Sequence, residues 1–349
     1  MIESQRVVTL KTGLADTGKR SSSAVTNTDG RAGEPSRFLS LALQGGGSFG
    51  AFTWGVLDRL LEEQVSLDAV SGASAGAINA VLLASGLAEG GPEAARAKLE
   101  RFWRRVSQVA PPRIAMEAMV DLAQHNVSPY LFNPLGINPL RDLLTAEVDF
   151  DRLRTERPIP LLISATRVSD GRLRLFREDE ITLDAVLASC CLLRLHHTVE
   201  IKGEAYWDGG FSANPPIRQL AIDTTAEDIL LVQLMPEQAP GTPKNAREIG
   251  ARLSRLAFGE PLLKELEALD DLRRLCSTQV LPPSRLCRKM SRLKLHRIAA
   301  EDAVPDLSHE SPLATDWPFL SQLQEAGTGA AESWLTGLEQ QTLPVRAAA

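Results

Sequence analysis

Short unbroken apolar runs alternate along this chain with longer stretches in which apolar residues recur every three or four positions. Phe38 to Leu43 is a run of the first kind and predicts a buried strand. From Ala51 to Glu63, Phe52, Val56, Leu57, Leu60 and Leu61 have helical spacing. Asp68 to Ser71 reads as a second strand, and Ala75 to Leu87 as a helix of small residues with Ile78, Leu82 and Leu83 on one side. Further along, Pro160 to Thr166 predicts a buried strand joined at Asp170-Gly171 to the alternating run Arg172 to Phe176, a hairpin. Leu183 to Ser189 is a short helix and Ile229 to Leu234 an apolar strand. Helices follow, with Leu262, Leu266, Leu269 and Leu272 on one face and a last one over Trp317 to Leu338. Strands that alternate with helices predict an α/β fold on a mostly parallel sheet.

Two of the predicted strand-to-helix junctions are framed by glycine. Such junctions are where a parallel sheet places its ligands. The first, Gly45-Gly46-Gly47-Ser48-Phe49-Gly50, leaves several backbone N–H groups unshielded, as an oxyanion hole requires. The second, Gly72-Ala73-Ser74-Ala75-Gly76, is a G-x-S-x-G nucleophile elbow, in which small neighbours let the backbone bend and a carbonyl approach the serine hydroxyl. Together they predict acyl transfer through Ser74. A third segment, Tyr206-Trp207-Asp208-Gly209-Gly210, carries an acid into a glycine turn. If the aromatic neighbours keep it dry, Asp208 is basic enough to take a serine proton. The competing readings are a helix cap for Ser74 and a turn-forming Asp for Asp208.

Composition narrows the picture. With 349 residues and 44% hydrophobic content the chain can bury a large core. Residues 1–37 are rich in Ser, Thr, Gly and Asp without an apolar period, and read as a disordered tail with no secretory h-region. Residues 38–235 read as the catalytic domain, and 236–349 as a mainly helical extension packed on it. Cys190, Cys191, Cys276 and Cys287 form no C-x-x-C pair, disulfide framework or zinc site, which predicts a reducing cytoplasm and no metal. Ala69 to Ala88 has no charged residue and nearly bilayer length, but its Gly, Ser and Asn content predicts a buried strand-turn-helix instead. A net charge of −6 argues against nucleic acid as a partner. Arg285 to Arg297 is basic without an acid, and reads either as a contact for anionic lipid or as a solvated strand edge with Leu293 and Leu295 alternating.

The ordered trio of glycine loop, elbow and Asp208-Gly209-Gly210 resembles the three signatures of the patatin-like phospholipases, over roughly Leu41 to Ile222. The resemblance implies a three-layer α/β/α sandwich and lipid acyl hydrolysis by a Ser-Asp dyad. Ser74 matches the nucleophile, Asp208 the general base, and Gly45, Gly46 and Gly47 the oxyanion loop. It implies no cofactor and a lipid ester substrate such as a phospholipid or acylglycerol; with the cysteine and charge readings above, the expectation is a cytoplasmic protein with peripheral contact at the inner membrane face. Two positions depart from the pattern: Phe49 stands where many relatives carry a basic residue, and Leu193 where they usually have proline.

Three other functions compete. A Ser-His-Asp α/β-hydrolase would use Ser74, Asp208 and then His296 or His309, but too few elements precede Ser74 for that fold. Gly45-x-Gly47-x-x-Gly50 has dinucleotide-loop spacing, yet the second strand ends in Gly72-Ala73-Ser74 without the ribose-binding acid. A lipid-binding scaffold without turnover would not need all three signatures intact.

Overall fold

In the first strand Leu39, Leu41 and Leu43 face one side of the sheet and Ala42 the other, so every second residue enters a different core. The computed structural model describes residues 38–109, 127–237, 241–278, 283–304 and 306–342; the tail over 1–37 and His125 lie outside the described residues. Among these residues eight strands form one sheet: β1 (Leu39–Leu43), β2 (Leu67–Gly72), β3 (Leu161–Arg167), β4 (Leu173–Arg177), β5 (Val199–Ile201), β6 (Glu204–Asp208), β7 (Asp228–Gln233) and β8 (Lys294–Ala299). The order is β5-β6-β3-β2-β1-β7-β8, with β4 hydrogen-bonded to β3 beside that path. From β3 to β8 all neighbours run parallel; β4, β5 and β6 pair antiparallel.

Helices cover both faces. Between β1 and β2 runs α1 (Gly50–Glu62), and from the end of β2 runs α2 (Ala75–Val109), which is broken at Gly90 and Gly91. Three short helices follow, α3 (Pro129–Phe132), α4 (Pro139–Glu147) and α5 (Phe150–Glu156), started by the side-chain caps Ser128, Asn138 and Asp149. After the β3–β4 hairpin comes α6 (Leu183–Ser189), capped by Thr182, and after β6 comes α7 (Ile217–Asp223). The C-terminal part adds α8 (Ala246–Ser277), α9 (Arg285–Arg292), α10 (Ala300–Ala303) and α11 (Trp317–Thr342). Side chains of α1, α2 and α11 fill the larger core, and those of α7, α8 and α9 the smaller one on the opposite face. This is the expected three-layer α/β/α sandwich.

Residues beyond 235 are therefore built into the sheet through β8 as well as packed on it. One close helix pairing joins elements far apart in the sequence. A Cβ at Gly55 would stand 1.9 Å from the Gln324 carbonyl oxygen, and one at Gly327 2.1 Å from that of Phe52, so α1 and α11 meet backbone to backbone. Ala69 to Ala88 is the buried strand-turn-helix that its composition predicts, and among the described residues no helix is long and apolar enough to cross a membrane. Arg285 to Arg297 is not one strand edge. Ser284 caps a helix through the Cys287 N–H, Cys287 and Met290 face the core, and only the Lys294–Ala299 half is a strand.

Candidate active site

β2 delivers the chain to Gly72 and α2 carries it away from Ala75, leaving two residues for the turn. Ser74 makes it with φ at +51°, a left-handed conformation that costs a non-glycine residue energy. Glycines on either side make room. A Cβ at Gly72 would lie 2.6 Å from the Gly76 carbonyl, and one at Gly76 2.0 Å from that of Leu43, so elbow and β1 are in backbone contact. The Ser74 N–H donates to Ser189 Oγ at 3.0 Å, which fixes the strained residue to the end of α6. Among the described residues no N–H of the first turn of α2 bonds the Ser74 hydroxyl. The helix-cap reading fails, and the side chain, 8% exposed, is free for other work.

The glycine loop lies against this elbow. A Cβ at Gly45 would stand 2.8 Å from Ser74 Cβ. The N–H groups of the loop are unequally engaged: that of Gly45 donates to Asn214 Oδ1 at 2.7 Å, that of Ser48 to the Pro312 carbonyl at 2.7 Å, and that of Phe49 to the Gly46 carbonyl at 3.2 Å. Among the described residues no acceptor takes the N–H of Gly46 or Gly47. Phe49 is buried and packs edge-on against Phe319 of α11, with ring centroids 6.2 Å apart. It anchors the loop to the C-terminal helix; it does not stand in for a missing charge.

Asp208 ends β6, opposite Ala165 of β3, and is completely buried. Its N–H donates to the Cys191 carbonyl at 2.9 Å, and its own carbonyl accepts the Thr166 hydroxyl at 2.7 Å. The two carboxyl oxygens differ. Oδ1 accepts the Gly210 N–H at 2.8 Å, the turn-forming role, whereas Oδ2 is buried without a well-formed hydrogen bond. Burial pushes the carboxyl pKa up to about 7, although the nearby Ser74 hydroxyl and the Gly210 N–H pull the other way. Gly209 and Gly210 permit this depth: a Cβ at the first would meet the Ser164 carbonyl oxygen at 2.2 Å, and at the second the Phe258 ring at 2.5 Å. Tyr206 is a buried core aromatic edge-on to Phe176, while Trp207 donates to Thr198.

Ser189, Cys190 and Cys191 thus bridge Ser74 and Asp208. The buried Cys190 thiol sits beside both: burial first, then the Asp208 charge, holds its pKa well above the ordinary thiol value, and the Ser74 hydroxyl opposes them. The segment turns back over Leu192 to His196 without the proline that position 193 usually carries. No histidine among the described side chains bonds Ser74 or Asp208. His296 pairs with Asp228 at 2.7 Å at the other end of the sheet, the His196 ring accepts the Leu192 N–H, and His197 stacks on Tyr130. Nor do three His, Cys, Asp or Glu side chains gather among the described residues as they would around a metal. A surface cleft of about 460 Å³, bounded by Leu61, Val65, Leu87 and Ile159, lies at the opposite strand ends and is lined by no titratable side chain.

From the middle of β1 into α7, over residues 41–221, the sequence matches the family model of patatin-like phospholipases. The chain belongs to that family. All three glycine-framed turns fall inside the match, and membership makes the protein a lipid hydrolase. Similar solved structures include VipD from Legionella pneumophila, 16% identical over 87% of this chain and 67% of that one, with a TM-score of 0.37. The full-length SpcU–ExoU complex from the type III secretion system of Pseudomonas aeruginosa matches at 16% identity, over 87% and 78% of the two chains, with a TM-score of 0.30. No curated protein sequence matches the chain. Three neighbours of the site in this patatin-like protein are not apparent from the motifs: Asn214, Ser189 and Pro312. Each acts on a motif more than 100 residues away in sequence. The only local signal is a buried Asn followed by Pro215-Pro216, soon after the acid turn.

Proposed function

We propose that the protein hydrolyses acyl esters of phospholipids or acylglycerols with Ser74 as nucleophile and Asp208 as general base. The observation that carries this reading is the pairing of a strained, uncapped serine with a buried carboxylate whose Oδ2 has no other partner and whose pKa lies near neutrality. In the first half-reaction Ser74 Oγ attacks the ester carbonyl carbon while Asp208 Oδ2 takes its proton. The oxygen that becomes negative is held by the N–H groups of Gly46 and Gly47, and the C–O bond to the alcohol then breaks as Asp208 returns the proton to it. Water attacks the acyl-Ser74 ester with Asp208 again as base, releasing the fatty acid. Gly45 takes a different part: Asn214 holds its N–H, so it shapes the loop and leaves the donors to its neighbours. We place the protein in the cytoplasm, with peripheral contact to membrane lipid.

A fluorophosphonate probe tests the reading before any natural substrate is known. Labelling should map to the peptide that contains Ser74 and disappear in Ser74→Ala, together with hydrolysis of short-chain nitrophenyl esters. Persistent turnover in that folded variant would remove Ser74 from the chemistry.

A further inference from the structure

The outer face of α8 is apolar although nothing in the core requires it. Ile249, Leu253, Leu256 and Leu263 recur at helical spacing and are 45%, 62%, 57% and 45% exposed. The face opposite them packs inward: Phe258 meets Gly210 and Phe211, and Leu262 and Leu269 enter the smaller core. An amphipathic surface helix buries one stripe and shows charge on the other; this one shows two apolar stripes. Its position matters as well. The Asn214 side chain donates to the Phe258 carbonyl at 3.0 Å, and Arg255 donates to the Ser308 carbonyl at 2.6 Å, near the Pro312 that holds the glycine loop. The first half of α8 therefore spans from the acid turn to the cover of the oxyanion loop.

From this arrangement we propose that the first half of α8 is the surface on which the protein settles onto an anionic lipid bilayer, with Ile249, Leu253 and Leu256 entering the acyl region. The charge around the stripe selects this occupant. Lys244 is exposed just before the helix, and the guanidinium groups of Arg252 and Arg255, which donate to the Gly241 and Ser308 carbonyls, add positive charge beside the stripe. The nearby acids are occupied: Glu248 accepts the Lys244 N–H and the Asn245 side chain at the start of the helix, and Glu260 pairs with Lys264 at 3.5 Å. A second copy docked by the same stripe would bring like charges together across a two-fold axis. Three cations of the run Arg285 to Arg297, by contrast, are held by partners in the fold. Lys289 donates to the Ile222 and Thr224 carbonyls, Arg292 pairs with Glu227, and Arg297 with Glu237, Glu301 and Asp302.

The proposal deepens the lipid-hydrolase reading but is measured without turnover. Sedimentation of the full chain with vesicles of ether-linked phosphatidylcholine, with and without ether-linked phosphatidylglycerol, reads binding on lipids that contain no ester to cleave. Binding should require the anionic lipid, weaken at raised salt, and fall about tenfold or more in Leu253→Ser/Leu256→Ser. Lys244→Glu should weaken it less, and Leu131→Ser/Leu135→Ser, in α3 and the exposed turn after it, should leave it unchanged. Circular dichroism checks that each variant is folded. Undiminished binding by folded Leu253→Ser/Leu256→Ser would overturn the proposal, as would equal binding to neutral vesicles. A dimer in the ultracentrifuge that this double variant splits would assign the stripe to a second copy instead.

Discussion

The elbow and the glycine loop are both strand-to-helix turns at the ends of neighbouring parallel strands, yet they are built in opposite ways. In the elbow the strain falls on the residue with the side chain: Ser74 itself adopts φ at +51° and its N–H is claimed by Ser189. In the loop the positive φ falls on a glycine, Gly47, and two successive N–H groups are left unclaimed. A nucleophile has to be held while it reacts, whereas an oxyanion hole has to keep donors unspent for a charge not yet present. The same local shape therefore fixes a side chain in one turn and exposes backbone in the other.

The largest effect should come from the group that faces the nucleophile of the elbow. Asp208→Asn keeps the shape and removes the base, and turnover should fall by about 10³-fold or more. Because the carboxyl pKa is raised to about 7, the basic form accumulates through neutrality, and wild-type acylation should rise with pH to a half-maximum near that value. The stability sign follows from the same shift. A carboxyl whose folded pKa exceeds its unfolded one binds more protons when folded. Its charge thus costs nothing at pH below the ordinary carboxylate range, and a growing amount as pH climbs towards 7. Asp208→Asn should be more stable than the wild type at pH 8, by at most about 4 kcal/mol, and no more stable at pH 3.5. Equal denaturant midpoints at both pH values would mean that the carboxyl is not desolvated.

Next in size are substitutions that fill the contact between the turns. A Cβ at Gly76 would stand 2.0 Å from the Leu43 carbonyl oxygen, backbone that cannot move without parting β1 from the elbow. Gly76→Ala should destabilise the protein by about 3 kcal/mol or more and lower its melting temperature accordingly. Gly259→Ala, in α8 with open space around its Cβ, is the control and should be neutral or slightly stabilising.

The parts of this site that are legible in the sequence are those whose constraint is local. A backbone that must bend or approach within 3 Å leaves no choice but glycine, so Gly45, Gly72, Gly76 and Gly209 mark the turns without any knowledge of the fold. The short apolar runs of β1 and β7 likewise give the sheet. Asn214, Ser189 and Pro312 are silent because their effect depends on which distant turn the fold sets beside them. The reading of Arg285 to Arg297 as a strand edge holds only from Lys294 on, for a related reason: six cations hide the Cys287-to-Met290 spacing that seats a helix on the core. In α8 the leucines at 262, 266, 269 and 272 announce an inward face. Periodicity alone cannot say that a second stripe on the same helix stays outside.

Asn214 sharpens the comparison at a lower magnitude. Asn214→Ala removes the acceptor of the Gly45 N–H and the donor to Phe258, so the loop gains an unclaimed N–H and loses its register against Ser74. If unspent donors were all that mattered, activity would rise. If register matters, kcat should fall by about 10–100-fold with little change in KM for a small ester. Asn214→Asp, which retains an acceptor, should recover part of the loss. A rise in kcat for Asn214→Ala would place Gly45 among the oxyanion donors.

The smallest effect is expected at the histidines, and its smallness is informative. A triad needs an imidazole within hydrogen-bond reach of the nucleophile, because the same ring accepts and then returns the proton. His296 is bound to Asp228 where β7 and β8 begin, stacked edge-on against Trp334, and so stands at the end of the sheet away from the elbow. The His196 ring is nearer, but it accepts the Leu192 N–H inside its own turn and is occupied there, and burial lowers its pKa. His296→Gln should leave nitrophenyl-ester turnover within about twofold, with any loss appearing as a lower melting temperature. His196→Gln should cost somewhat more, through the turn that carries Cys191 to Asp208, and should not change the pH of half-maximal rate, which belongs to the carboxyl. Loss of probe labelling in either folded variant, as complete as in Ser74→Ala, would replace the dyad by a triad. The unequal oxygens of Asp208 would then be a turn and nothing more.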